Sequence, residues 1–346
     1  MSLLSGVSSF FGLDIGTTAV RVVQLRGSGN TRALQKYGYI PLDPKIALSD
    51  AKADQQKVGQ AVRELLEQAR VTTTDVAVGL PSSKVFTTVV DMDRLSASEL
   101  TKTILLQADS LIPTPVSESK LDWALLGDSP KEQGKVEILL SSVANEFIEG
   151  RLDMLESIGL NVIAFEPDSL ALARALTAPD NPAPVMVVDI GSKTTDVVLT
   201  MAGAPRLIRA LPTGSDAIVR AAQQNLNIDD QQAQQFVFKF GLGKDKLEGQ
   251  IYNAIIGTVD LLVGDIDKSI KFFQARYPGV VLDRIIVTGA ASVLPEFPLY
   301  LANKFGLNIE IGNAWRNVAF PADRQNELLS MSNHFGVAAG LAERSE

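Results

Sequence analysis

Two stretches carry one pattern: Phe11-Gly12-Leu13-Asp14-Ile15-Gly16-Thr17-Thr18 and Val187-Val188-Asp189-Ile190-Gly191-Ser192-Lys193-Thr194. Each is an apolar run ending in Asp-Ile-Gly, and each leads into a second apolar run, Val20–Leu25 and Thr195–Leu199. The pattern reads as strand, tight turn, strand. Gly16 and Gly191 supply a turn position that tolerates positive φ. Such a turn aims consecutive N–H groups, with the hydroxyls of Thr17, Thr18, Ser192 and Thr194, at one point suited to phosphate. Asp14 and Asp189 sit at the mouths of their strands, where a carboxylate holds a hydrated divalent cation. One such loop is weak evidence, because Asp-x-Gly also serves in ordinary turns. Two in the same register, opening the two halves of one chain, are not explained that way.

The first half continues as an α/β unit. Gly27–Asn30 makes a turn, Thr31–Ile40 reads as a third strand, and Val58, Val62, Leu65, Leu66 and Ala69 recur at helical spacing. Asp75–Leu80 is a buried strand stopped by Pro81. Strands, helix, strand is the order of a ribonuclease-H-like half-domain. From Ser82 the texture changes: a strand at Val85–Met92, a capping box at Ser96–Glu99, and a helix with Leu100, Ile104, Ala108 and Leu111 on one face. Strands at Leu121–Leu126 and Val136–Ala144 follow, then a helix capped by Asn145. This is an inserted subdomain at about residues 83–159. Leu160–Phe165 returns as a strand, and Glu166-Pro167-Asp168-Ser169 leads into a helix at Leu170–Leu176. The proline-rich segment around Pro179, Pro182 and Pro184 marks the main boundary, giving domain 1 at 1–182 and domain 2 at 183–346. In domain 2, helices at Asp216–Asn225, Gln231–Phe240 and Ile251–Phe273 form a helical insertion at about 216–277. The strand Asp283–Thr288 ends in Gly289-Ala290-Ala291, and a final helix spans Asn333–Arg344.

Composition narrows the chemistry. There is no cysteine and a single histidine, His334, so thiolate sites, His-ligated metals and Ser-His-Asp catalysis are excluded. His334 reads as a polar cap on the last helix. A formal charge of -8 with no basic cluster argues against a nucleic-acid partner. No apolar run reaches the roughly 20 residues a membrane span needs, so direct insertion is not expected. The start, with Leu3, Leu4, Val7, Phe10 and Phe11, lacks a basic region and cleavage signature; it reads as a short amphipathic element that packs on the body or touches a partner or membrane.

With the two hairpins, Glu166-Pro167 and Val287-Thr288-Gly289-Ala290-Ala291 in order, the chain resembles the actin, Hsp70 and sugar-kinase superfamily, in which two related domains close on ATP. The resemblance implies ATP or ADP with Mg²⁺: Asp14, Gly16, Thr17 and Thr18 on one side of the phosphates, and Asp189, Gly191, Ser192 and Thr194 on the other. Asp14 and Asp189 would hold Mg²⁺ through water. Arg21 stands where the family often has a phosphate-contacting lysine; Lys193 either adds a contact or points to solvent. Gly214 would lie near the phosphates or ribose, and Gly289, Ala290 and Ala291 under the adenosine. Glu166 matches the family's water-positioning glutamate, or else only caps the following helix.

The inserted module resembles the 1C subdomain of FtsA and is still more similar to that of the PilM family of type IV pilus assembly, through Asp14–Leu25, Gly79-Leu80-Pro81 and Glu166–Ala175. The implied fold is an actin-like ATPase with two ribonuclease-H-like domains and an inserted SHS2-like 1C subdomain. The implied function is a cytoplasmic ATP-binding scaffold with weak or no ATPase activity. It would sit on the inner bacterial membrane through other pilus components, its groove near 1A and 1C taking the N-terminal peptide of a PilN-like bitopic membrane protein. Gln234 and Val237 depart from an Ala-Glu-x-x-Lys element that contacts ribose and base. The alternatives are an FtsA-like division filament protein, whose terminal basic amphipathic helix is not seen at Leu341–Glu346, and a divergent sugar kinase, for which no Gly-x-x-Asp base is found.

Overall fold

Each Asp-Ile-Gly stretch forms the turn of an antiparallel hairpin that opens a five-stranded sheet. The structure is a computed structural model describing residues 9–27, 32–178 and 181–345. Leu3, Leu4 and Val7 of the apolar start, Ser28–Asn30 and Pro179 lie outside the described residues, whereas Phe10 packs on the body and Phe11 opens the first strand. The first sheet comes from β1 (Phe11–Ile15), β2 (Ala19–Arg26), β3 (Ala33–Pro41), β4 (Asp75–Leu80) and β8 (Asn161–Pro167), in the order β3-β2-β1-β4-β8. Between β3 and β4 run the short α1 (Pro44–Ala47), in a stretch that the sequence suggests is loop, and α2 (Lys52–Ala69). Val58, Val62 and Leu65 bury one face of α2 against the sheet, each contributing about 1.5–3 kcal/mol.

Between β4 and β8 comes the inserted module: β5 (Val85–Asp93), α3 (Ala97–Leu111), β6 (Ser119–Asp128), β7 (Lys135–Ala144) and α4 (Asn145–Ser157). Its three strands pair in the order β5-β7-β6. Ser96 and Glu99 form the capping box expected of α3. Asn145 is not a cap: it is the first residue of α4, and its side-chain amide donates to the Ser117 carbonyl. Val136, Ile138 and Leu140 alternate onto the face that α3 covers with Leu100 and Ile104.

After α5 (Asp168–Leu176), the second sheet repeats the first: β9 (Val185–Ile190), β10 (Thr195–Met201), β11 (Ala204–Leu211), β12 (Arg284–Thr288) and β13 (Asn308–Ile311), ordered β11-β10-β9-β12-β13. The helices are α6 (Ser215–Leu226), α7 (Asp230–Phe240), α8 (Gln250–Arg276), α9 (Phe297–Phe305), α10 (Gln325–Met331) and α11 (Gly336–Ala342). The final helix is shorter than the small-residue pattern suggests, because Ser332–His334 forms a separate 3-10 turn ahead of it. Small residues let α5 and α11 cross between the two sheets. A Cβ on Gly340 would lie 1.8 Å from the Ala171 carbonyl oxygen, and one on Gly12 would meet the Ala338 oxygen at 2.3 Å.

One buried carboxylate joins the inserted module to the second sheet. Glu137 of β7, 1% exposed, accepts from Arg206 Nη1 at 2.9 Å, Arg276 Nε at 2.8 Å and the Tyr277 hydroxyl at 2.8 Å. Arg276 also reaches Asp91 of β5 at 3.0 Å. No described helix is long and apolar enough to cross a membrane.

Candidate functional site: the cleft between the two sheets

Both hairpin turns open into one cleft of about 490 Å³. Asp14, Gly16, Thr17, Thr18 and Arg21 line it from the first domain, and Asp189, Gly191, Ser192, Lys193 and Thr194 from the second. Gly289 and Ala290 line it too. Positive φ is adopted by neither Gly16 nor Gly191, and the space around them is tight but not closed to a small side chain. A Cβ on Gly16 would sit 3.0 Å from Arg21 Nη1, and one on Gly191 would sit 3.0 Å from the Thr194 oxygen. Gly289 is the position with φ +81, and a Cβ there would meet Asp189 Oδ1 at 2.4 Å. A side chain would therefore push the β12 end off the second hairpin.

The remaining sequence-selected residues are placed differently. Gly214 supports the second turn from behind. Ser215 and Asp216 donate their N–H groups to the carbonyls of Gly191 and Ser192 at 2.9 and 3.0 Å, an approach that a Cβ on Gly214 would block. The first N–H groups of α6 are thus already used. Ala291 is fully buried beneath the cleft wall. Lys193 lines the cleft partly exposed, and its ammonium pairs with Asp216 at 2.7 Å. Glu166 is turned away from the cleft. It is 3% exposed, and its oxygens are taken by Arg174 and by Arg344 Nη1 at 3.0 Å, which tie β8 to α5 and to the chain beyond α11. This ion-paired anchor stands where the sequence suggests a water-positioning residue or a simple helix cap. His334 caps no long helix; it lines the cleft mouth beside Asn333.

Six aspartates line the cleft: Asp50 and Asp216 pair with lysines, and the other four, Asp14, Asp189 and two outside the sequence motifs, Asp168 and Asp196, act on one another. The hairpin registers explain their electrostatics. Asp14 faces Arg21 across the first hairpin and pairs with it at 3.1 Å. Asp189 faces Asp196 across the second, a like-charge pair that opposes ionisation. Desolvation deep in the cleft pushes Asp189 up to about 7, with Asp196 and Asp14 adding to it and Arg21 opposing. Burial pushes Asp196 up to about 6, against the neighbouring Ser82 hydroxyl. Asp168 is raised well above the carboxylate range by burial and then by the other three aspartates. Asp14 is also raised by burial, which outweighs its Arg21 pair. Asp168 Oδ1, Asp196 Oδ1 and Ser192 Oγ are buried without hydrogen-bond partners. Among the described residues, no three side chains close tightly enough to ligate an ion directly. The donor set suits a cation that keeps its water and takes other ligands from a phosphate.

Domain 2 closes the cleft with Val219, Gln234 and Phe238. Val237 points into the core, 1% exposed. Of the two family-divergent positions, then, only Gln234 faces the cleft.

Two sheets of identical order, each opened by an aspartate hairpin and joined by crossing helices over one cleft, define an actin-like ATPase fold. Ethanolamine utilization protein EutJ from Carboxydothermus hydrogenoformans has the same fold, with a TM-score of 0.58 and 15% identity over 97% of this chain and 89% of that one. So has MreB 5 of Spiroplasma citri bound to AMPPNP, with a TM-score of 0.53 and 14% identity over 96% and 95%. The family model of type IV pilus assembly protein PilM matches residues 12–346, and the chain belongs to that family. A solved PilM-PilN type IV pilus biogenesis complex is similar to it with a TM-score of 0.81 and 26% identity, covering 96% of this chain and 97% of that one.

Proposed function

We propose that this protein binds ATP or ADP with Mg²⁺ in the cleft. In this reading it is a cytoplasmic scaffold of type IV pilus assembly, held on the inner membrane by the N-terminal peptide of a PilN-like bitopic membrane protein. The observation that supports nucleotide binding most is the convergence of both hairpins, with four aspartates whose carboxyls burial pushes up and with unpartnered polar atoms, on one cavity. Asp14 and Asp189 would hold the cation through water, and the cation would draw the phosphates to a pocket otherwise too acidic for them. The residues of the two turns orient the phosphates; Gly289 keeps its backbone against the second hairpin. Sequestration of Glu166 supports slow or absent turnover. The division into domain 1 (1–182, with the 1C insertion at 83–159) and domain 2 (183–346, with the helical insertion at 216–277) is part of this reading.

An apolar groove of about 300 Å³ supports the peptide. Ala124 and Leu139, paired across β6 and β7 on the face away from α3, line it with Ile148, Phe165 and Leu170. β6 is an edge strand, so its free N–H and C=O groups suit addition of an extended segment. Mg-ATP at a hundredfold excess over its Kd should stabilise the fold by about 2.7 kcal/mol; no shift of the melting midpoint at millimolar Mg-ATP overturns the nucleotide reading. A synthetic PilN-type N-terminal peptide should bind, and Ile148→Ala should weaken it by about 1–2 kcal/mol, roughly five- to thirtyfold, as loss of an apolar anchor does. Unchanged affinity in that variant places the peptide elsewhere. Rapid, sugar-stimulated phosphate release would favour a kinase instead.

A further inference from the structure

Arg151 belongs to α4, one turn beyond Phe147, and both side chains line the cleft. Its guanidinium carbon lies 5.4 Å from the centre of the Phe147 ring. The residue is 7% exposed, and Nη1 is buried without a hydrogen-bond partner. Among the described residues, no carboxylate forms an ion pair with it at the 4.0 Å limit. The other cations of the cleft are engaged: Arg21 with Asp14 at 3.1 Å, Lys193 with Asp216 at 2.7 Å and Lys84 with Asp50 at 3.3 Å. A buried cation with an unused donor is costly, and the cost is relieved by an anion arriving in the cleft. A planar guanidinium fork suits the paired oxygens of a phosphate or carboxylate, and of these the nucleotide reading supplies the phosphate.

Position in the cleft selects which phosphate. Gly289 abuts Asp189 in the second domain, whereas the fields acting on Arg151 come from Asp168 and Asp50 of the first. With adenosine on the Gly289 side and the phosphate chain between the hairpins, the group that extends to α4 is the last phosphate. We infer that Arg151 receives the terminal phosphate of a nucleoside triphosphate and makes this cleft discriminate tri- from diphosphate. The inference rests on the nucleotide reading above and adds to it a residue that no part of the phosphate hairpins supplies.

The test is calorimetric titration of the full chain with Mg-ATP and with Mg-ADP, for wild type and Arg151→Met. Methionine keeps much of the side-chain volume and removes the charge. In the variant, Mg-ATP affinity should fall roughly 10–100-fold, the cost of a lost charge-assisted hydrogen bond, with Mg-ADP affinity within about twofold of wild type. Arg151→Lys should recover part of the loss. Without nucleotide, the melting midpoint of Arg151→Met should be no lower than wild type, because no hydrogen bond or ion pair is abandoned and relief of the buried charge offsets the lost Phe147 contact. An unchanged ATP-to-ADP ratio, or a ligand-free midpoint that drops, overturns the assignment and leaves Arg151 a structural cation. Wild-type protein that binds neither nucleotide overturns the nucleotide reading itself, which the ADP arm makes distinguishable.

Discussion

Glu137→Ala should destabilise the protein by about 3–5 kcal/mol, the cost of leaving a buried ion pair half made. The wild-type carboxylate is 1% exposed and accepts from three side chains of the second domain: Arg206, Arg276 and Tyr277. Alanine removes every one of these acceptors at once. Arg206 would keep only the Leu126 carbonyl, at 2.8 Å, and Arg276 only Asp91. Tyr277, whose hydroxyl is pushed up to about 12 by burial and by the Glu137 hydrogen bond, would lose its acceptor altogether. Glu137→Gln keeps one acceptor oxygen but not the charge, so its cost should fall between those of alanine and wild type. Urea unfolding monitored at Trp123, on the inserted sheet, reads the loss. Hydrogen exchange should locate it, with protection lost in β5 and β7 before the first sheet. An alanine variant within about 0.5 kcal/mol of wild type would mean that the inserted module is not held by this carboxylate. The effect would also reach the proposed peptide groove, because Leu139, two residues along β7 on the same face, lines both that groove and the cavity beside Arg206.

The hairpins were legible in the sequence because a strand's period and an Asp-Ile-Gly turn are local properties, and duplication supplies an internal control. Asp196 carried a readable signal: it follows Asp189 at the spacing by which Arg21 follows Asp14, so the hairpin register places each opposite its aspartate. Asp168 stands two residues after Glu166, and of the two only Asp168 lines the cleft. Nothing local distinguishes them. Glu166 is withdrawn by Arg174 two helical turns later and by Arg344 at the far end of the chain, a long-range ion pair with no periodicity to reveal it. Arg151 was hidden for the same reason, since on α4 it reads as one more polar residue on an amphipathic helix. Gly16 and Gly191 show a subtler difference. Glycine was expected for a left-handed turn, but neither adopts one, and a Cβ would meet only a tight contact with Arg21 or the Thr194 carbonyl.

Asp189→Asn should act in opposite directions with and without ligand. In the ligand-free protein, Asp189 titrates near 7, well above the unfolded carboxylate value of 3.8. The native state therefore holds a proton that the unfolded chain has already released. Its contribution to stability is complete below about pH 4 and is lost as pH rises through about 7. Asp196 adds to the same slope up to about pH 6. Asparagine cannot ionise, so the variant should lose less stability than wild type between pH 4 and 8 and be the more stable of the two at pH 8. With Mg-ATP the order reverses. The wild-type aspartate ionises against the cation, so its ligand-induced stabilisation should grow from pH 5.5 to 8. The variant lacks that carboxylate, and its Mg-ATP affinity should fall about 10–100-fold, as loss of a carboxylate supporting a hydrated cation does. Scanning calorimetry of both proteins across this range, with and without Mg-ATP, separates the effects. If ligand-free stability is as steep in asparagine as in wild type, Asp189 does not carry the proton. If Mg-ATP protects both equally, the second hairpin does not hold the cation. The crossing of the two curves, stable apo variant and stable liganded wild type, is the signature of a carboxylate kept costly in the empty cleft for the ligand that uses it.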